Sequence, residues 1–282
     1  MVKRAAIAPA VDHVPGTWRL LYFDAPNRGE QVRVLFFLAG VSFDDVRLKY
    51  PEGLSPYTKA ALGEASPLLG TDMCPAVTAP DGTHCVETAD IMRFVGKRVG
   101  LAPASEAQEE LAMTRCLMAQ EILNEVFYKL LKPMTVQHIA RTDLCCLLRP
   151  LFTGLLGGGA ATTHRPVAFL RAKLPVLEEA LTGSGGPYFS GASLTYESVA
   201  LFAVLREALA FSCFAGATEL AAYPNLAEFM DLMEHKASGW IERRVREHQL
   251  GYANTVEYFA VTNSPFRRSG AKDTDGAVRK SS

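Results

Sequence analysis

The 282-residue chain is predicted to fold as an α/β domain followed by an all-α helical bundle, on three observations. Strand and helix signals alternate up to residue 100, and two β-prone runs in that stretch flank a Pro-Asp-Gly turn. After residue 105 strand signals stop and apolar side chains recur at helical spacing.

The first run, Trp18-Arg-Leu-Leu-Tyr-Phe23, is short, aromatic and apolar, and it stops at the breaker cluster Asp24-Ala-Pro-Asn27, the pattern of a strand entering a loop. A helix follows from Gly29, where Val32, Leu35, Phe36 and Ala39 share one face and Gly40 stands at the place of a left-handed C-terminal cap. Phe43, Val46 and Leu48 mark a second strand, although their spacing departs from strict alternation. Residues 49–73 are rich in Pro, Gly and Ser and read as a long irregular connection with a short helix near 57–62. Residues 75–78 and 83–86 form a hairpin around Ala79-Pro-Asp-Gly82, and a helix over 87–99 buries Ile91, Phe94 and Val95. The order β-α-β then β-β-α is a thioredoxin-like layout.

A linker at 101–105 leads to long helices over 106–131, 167–181 and 196–211. Their apolar stripes, such as Leu170, Leu174, Leu177 and Leu181, are those of a buried bundle. The domain plan is therefore a flexible extension over 1–16, a thioredoxin-like domain over 17–100, the linker, an all-helical domain over 106–262, and a disordered tail over 263–282. Within the helical domain residues 150–165 read as a loop or insertion. Its Gly157-Gly-Gly159 lacks both the preceding strand and the following Gly-Lys-Ser/Thr of a phosphate loop.

Composition narrows the partners. With 29 Lys and Arg against 30 Asp and Glu there is no global positive field, so nucleic acid is not expected as a partner. No stretch reaches the roughly 18 apolar residues of a membrane span. The six cysteines show neither a disulfide framework nor metal-ligand spacing, which points to a reducing, cytoplasmic setting and to no metal. The adjacent Cys145 and Cys146, set in an apolar run, read as core packing.

Three local sequences then make the fold prediction specific. Leu21-Tyr-Phe-Asp-Ala-Pro-Asn-Arg-Gly-Glu-Gln-Val-Arg33 is the first, Met73-Cys-Pro-Ala-Val77 followed by Glu87-Thr88 the second, and Tyr188-Phe-Ser-Gly-Ala-Ser-Leu-Thr-Tyr196 followed by Tyr223-Pro-Asn-Leu226 the third. In order and spacing the chain resembles the cytosolic glutathione transferases of the tyrosine-type classes (sigma, mu, alpha and pi). The resemblance implies a glutathione transferase-like fold, glutathione as co-substrate, a small-molecule electrophile as second substrate, and a homodimer. It implies a catalytic role for Tyr22, supported by Arg28, and a glutathione site formed by Tyr22, Arg28, Lys59, Cys74, Pro75, Glu87 and Thr88. Lys59, with Lys49 as the alternative, stands in for the Trp and Lys that hold the glycine carboxylate in the family. Asp72-Met73 replaces the usual Gly-Lys or Gly-Gln and puts an acidic group near the expected peptide.

The chemistry can be argued from the residues themselves. A thiol of pKa about 8.5 is only a few per cent ionised at pH 7, so a catalyst of thiolate attack must stabilise the anion. One phenol donor at Tyr22 suffices, because a hydrogen bond to a charged group is worth about 1.5–3 kcal/mol, equivalent to one to two pKa units. Pro75, if cis, turns the backbone of Cys74 outward to pair with an extended peptide. Thr88, in the first turn of its helix, suits a carboxylate, and Glu87 suits an α-ammonium. Met113, Met118 and Phe127 are candidates for the electrophile wall, with plain core packing the ordinary alternative. Thr195 is placed to cap the helix at 196, but Ser198 leaves the reciprocal capping box incomplete. The same fold also serves a non-catalytic interaction scaffold, and the same site a glutathione-dependent isomerase or peroxidase.

Overall fold

The computed structural model describes residues 16–49, 52–130, 164–211, 213–214 and 219–246. The expected extension up to residue 15, the insertion up to residue 163, Cys145 and Cys146, and the tail lie outside the described residues.

The first domain runs β1 (Trp18–Phe23), α1 (Arg28–Leu38), β2 (Phe43–Leu48), α2 (Lys59–Leu62), β3 (Ala76–Thr78), β4 (His84–Val86) and α3 (Thr88–Arg98). The four strands form one mixed sheet in the order β2-β1-β3-β4. β1 pairs parallel with β2, Tyr22 opposite Arg47, and antiparallel with β3, Leu21 opposite Ala76. Strand alternation sends Trp18, Leu20 and Tyr22 to the face that α1 and α3 cover, and Leu21 to the other. That other face is also apolar, and the 49–73 connection covers it: Leu54, Tyr57 and Leu68 pack there on Leu21, Leu48 and Ala76. A central strand buried on both sides explains why the apolar pattern of β1 is nearly continuous.

In the second domain α4 (Glu106–Ile122) continues into a π-helical segment, Leu123–Tyr128, and is followed after the undescribed stretch by α5 (His164–Ser184), α6 (Tyr196–Leu209), α7 (Pro224–Lys236) and α8 (Ser238–Arg246). Residues 164 and 165, read from sequence as loop, begin α5. The predicted bundle stripe is buried as expected: Leu170, Leu174, Leu177 and Leu181 all face the core. Among the described residues this domain holds no strand beyond an isolated bridge between Tyr188 and Gly191. Thr195 does not cap α6. Its hydroxyl donates to the Glu197 carboxylate at 2.8 Å, while Ser198 Oγ accepts the Phe189 amide at 3.3 Å. The buried Glu197 draws the Thr195 hydroxyl away from the helix end, a competition that local spacing does not display.

The two domains share one core. α1 is buried on nearly every side, its Glu30, Gln31 and Arg33 included, because the sheet lies beneath it and α6 packs above it. α3 also packs on α6, and Gly96 makes this possible: a Cβ there would lie 2.6–2.9 Å from the Tyr196 ring and its Cβ. Gly96→Ala should therefore destabilise the fold by about 1–3 kcal/mol, the overpacking cost exceeding the roughly 1 kcal/mol that alanine gains in helix propensity. Denaturant unfolding measures it, and a more stable variant would show that helix propensity outweighs this contact.

Candidate functional site

The turn between β1 and α1 is held by the side chain of Arg33. Fully buried on α1, it donates to the backbone carbonyls of Ala25 at 2.7 Å and Phe23 at 3.2 Å, and to Asp45 of β2 at 3.0 Å. Within this turn Asn27 adopts φ 64° and ψ −131°, a backbone that costs a non-glycine residue about 1–3 kcal/mol. Its buried N–H is accepted by both carboxylate oxygens of Glu207 on α6, at 3.0 and 3.2 Å. Gly29 follows in the first turn of α1, and a Cβ there would lie 2.2 Å from Cδ1 of Tyr22, so the helix start presses on the Tyr22 ring.

Tyr22 is buried in the core cluster, with its hydroxyl hydrogen-bonded to that of Tyr128. Burial, then the neighbouring Tyr128 and Cys74, push its pKa well above the ordinary phenol value, with Arg28 opposing. Near neutrality Tyr22 therefore keeps its proton and is a donor. Arg28 donates from Nη2 to Asn124 Oδ1 at 2.8 Å, and its guanidinium lies 5.6 Å from the Tyr128 ring centroid.

A small depression is lined by Arg28, Thr71, Met73, Cys74, Pro75, Val86, Glu87 and Thr88. It brings together five of the residues expected at the site. Tyr22 stands behind it rather than in its wall, within electrostatic reach of both Arg28 and Cys74. The Cys74–Pro75 peptide bond is cis. Among the described residues no backbone hydrogen bond takes up the amide or carbonyl of Cys74, which precedes the paired residues of β3. Its thiol is pushed up to about 12 by burial, so it is protonated at neutral pH and offers backbone rather than sulfur chemistry. Glu87 caps α3 with φ 66°, and Thr88 is buried in the first turn of that helix.

Lys59 is not brought to this depression. Its ammonium pairs with Glu64 at 2.8 Å and its amide donates to Asp72 Oδ1 at 2.9 Å. Asp72 thus serves the start of α2 instead of lying free beside an expected peptide. Lys49 pairs with Glu52 at 3.5 Å. Phe127 is core, packed edge-on against Phe211 with centroids 5.4 Å apart, and Met113 and Met118 pack partly buried on the same core.

Asn124, Tyr128 and Glu207 are the site residues that sequence reasoning missed. The first two lie in the π-helical segment, in which Phe127 is buried and both Asn124 and Tyr128 meet the Arg28 guanidinium. A regular 3.6-residue period does not anticipate that arrangement. The only sequence signal for Glu207 is a second carboxylate in a mostly apolar helix.

The fold and site define a two-domain protein in which a thioredoxin-like domain with a cis-proline edge packs on a helical domain. Over residues 168–241 the chain matches the family described as glutathione S-transferase, C-terminal domain. It is 30% identical over 192 residues to glutathione S-transferase 1 of Ascaris suum, covering 65% of this chain and 76% of that protein. It is 24% identical over 234 residues to S-crystallin 2 of Enteroctopus dofleini, covering 81% of this chain and 97% of that protein. Among solved structures, the glutathione S-transferase from Ascaris lumbricoides aligns with a TM-score of 0.57 at 25% identity, covering 81% of this chain and 97% of that one. The chain belongs to the cytosolic glutathione transferase superfamily.

The Glu207 carboxyl is pushed up to about 8, by burial first and by Glu30 second, despite the Asn27 amide. The folded state therefore holds a proton that the unfolded chain releases near pH 4.3, so stability falls as pH rises through this window and levels off above about 8. Glu207→Gln cannot ionise. Between pH 5 and 9 the wild type should lose up to about 4 kcal/mol relative to that variant. Unfolding titrations at pH 5, 7 and 9 check it, and parallel stability profiles for the two proteins would contradict the assignment.

Proposed function

We propose that the protein is a glutathione transferase that binds glutathione along the Cys74 edge and adds its sulfur to an electrophilic carbon. The observation that carries this reading is the gathering of Arg28, Cys74, cis-Pro75, Glu87 and Thr88 around one depression, with a protonated phenol behind it.

Each group has one task. The Cys74 amide and carbonyl pair with the cysteinyl backbone of the peptide as a short ladder. Thr88 and the N-terminus of α3 take the γ-glutamyl carboxylate, and Glu87 takes its ammonium. The Tyr22 hydroxyl gives up its bond to Tyr128 and donates to the sulfur, and the Arg28 charge adds to the stabilisation of the anion. The thiol proton leaves to solvent, the thiolate attacks the electrophile, and the carbon–sulfur bond forms as the leaving group departs. The glycine carboxylate has no holder in this account, because both candidate lysines are paired elsewhere.

A homodimer, a cytoplasmic location and a detoxifying role extend this reading from the family. So does a glutathione-dependent isomerase or peroxidase, which would use the same thiolate. The rival reading is a non-catalytic scaffold, favoured by the relative that carries a crystallin's name.

Tyr22→Phe should lower turnover of glutathione with a chloronitrobenzene acceptor by about ten- to a hundredfold while leaving retention on immobilised glutathione in place. Unchanged turnover in the variant would assign the donor role to another group. A wild type that is neither retained nor active would favour the scaffold.

A further inference from the structure

Glu207 belongs to the helical domain and touches none of the residues that line the depression except through one backbone amide. That amide is the one preceding Arg28. Asn27 holds φ 64° and ψ −131°, and its N–H sits between the two oxygens of Glu207 at 3.0 and 3.2 Å, both partners being buried. Two groups of the proposed reaction follow directly. Arg28 is the next residue, and Gly29 presses on the Tyr22 ring. A small rotation at Asn27 would therefore move the guanidinium and the phenol together.

The charged and titratable groups around this carboxyl come from three neighbouring elements as well as its own helix. Facing it are Glu30 of α1, Arg244 of α8, Arg206 of its own helix and, on the α4 side, Tyr128. Glu30 in turn accepts from Trp240 Nε1 at 2.7 Å and pairs with Arg244 at 3.2 Å. No other acceptor meets the Asn27 amide among the described residues, and a buried N–H left without one would drive the turn to a different backbone.

We infer that Glu207 is a positioning residue for the reaction proposed above: its carboxylate clamps the Asn27 amide and so sets Arg28 and Tyr22 against the glutathione sulfur. The inference rests on the transferase reading. Glu207 does not touch the peptide or the electrophile. Either protonation state of its carboxyl offers the amide an oxygen, and glutamine does the same.

The test compares wild type, Glu207→Leu, Glu207→Gln and Tyr22→Phe by steady-state kinetics with glutathione and a chloronitrobenzene acceptor across pH, alongside thermal melting. Glu207→Leu fills the space but removes the acceptor. It should melt cooperatively, lose about tenfold in kcat and shift the acidic limb of the pH–rate profile upward by about one unit. Glu207→Gln should restore turnover to within about threefold of wild type. Should the leucine variant fail to fold, Glu207→Asp, which draws the acceptor back by one methylene, should show the same changes at smaller size. A folded leucine or aspartate variant with wild-type kcat and pH profile would overturn the inference. If Tyr22→Phe loses rate while Glu207→Leu does not, the positioning role fails alone; if Tyr22→Phe keeps full rate, the donor is another group and the inference falls with the Tyr22 role. A wild type neither retained on immobilised glutathione nor active sinks the transferase reading itself.

Discussion

Asn27 turns the chain from β1 into α1 through a backbone that favours glycine, and its amide finds an acceptor on a carboxylate 180 residues further along the chain. Arg28 and Tyr22, the two residues given a part in stabilising the thiolate in the proposed reaction, lie next to that turn. Arg33 holds the turn's carbonyls from below and Glu207 holds its amide from the other domain, so the β1–α1 junction is gripped from both sides. On the inference drawn above, the first domain supplies Arg28 and Tyr22, and the second fixes the angle at which they emerge.

The electrostatics of the site follow from burial. Tyr22 keeps its proton because its surroundings are poor in water, and the same burial keeps the Cys74 thiol protonated. On the proposed reading a donor stands beside the peptide-binding edge, and Cys74 brings no competing thiolate to it. A bound thiol would meet the Arg28 charge and the phenol proton together, and both favour the anion. Of the two buried carboxyls behind the turn, Glu30 is paired with Arg33 and Arg244, while Glu207 avoids the cost of an unpaired buried charge by holding its proton near neutrality.

Much of this was legible in the sequence. The cis peptide before Pro75 and the grouping of Arg28, Glu87 and Thr88 came from the resemblance to the glutathione transferases, whereas the β-α-β and β-β-α order and the hairpin at residues 79–82 depend on breakers, alternation and local spacing, which a linear reading can see. What it missed depends on distance or on a change of period. Asp72 is drawn to the Lys59 amide, and Thr195 to the Glu197 carboxylate, by partners that local rules do not weigh. Tyr128 was not singled out, because nothing in the local sequence shows that it meets Arg28 from a π-helical segment. Glu207 was invisible because its partner is a main-chain amide in the other domain.

The central claim is that the Tyr22 phenol lowers the pKa of a bound thiol. The most direct measurement is a titration of thiolate ultraviolet absorbance in the glutathione complexes of the wild type and Tyr22→Phe. The account predicts a bound-thiol pKa about one to two units below that of the free thiol in the wild type, and a return toward the free value in the variant. A wild-type value equal to that of free glutathione, or one that Tyr22→Phe leaves unmoved, would contradict it.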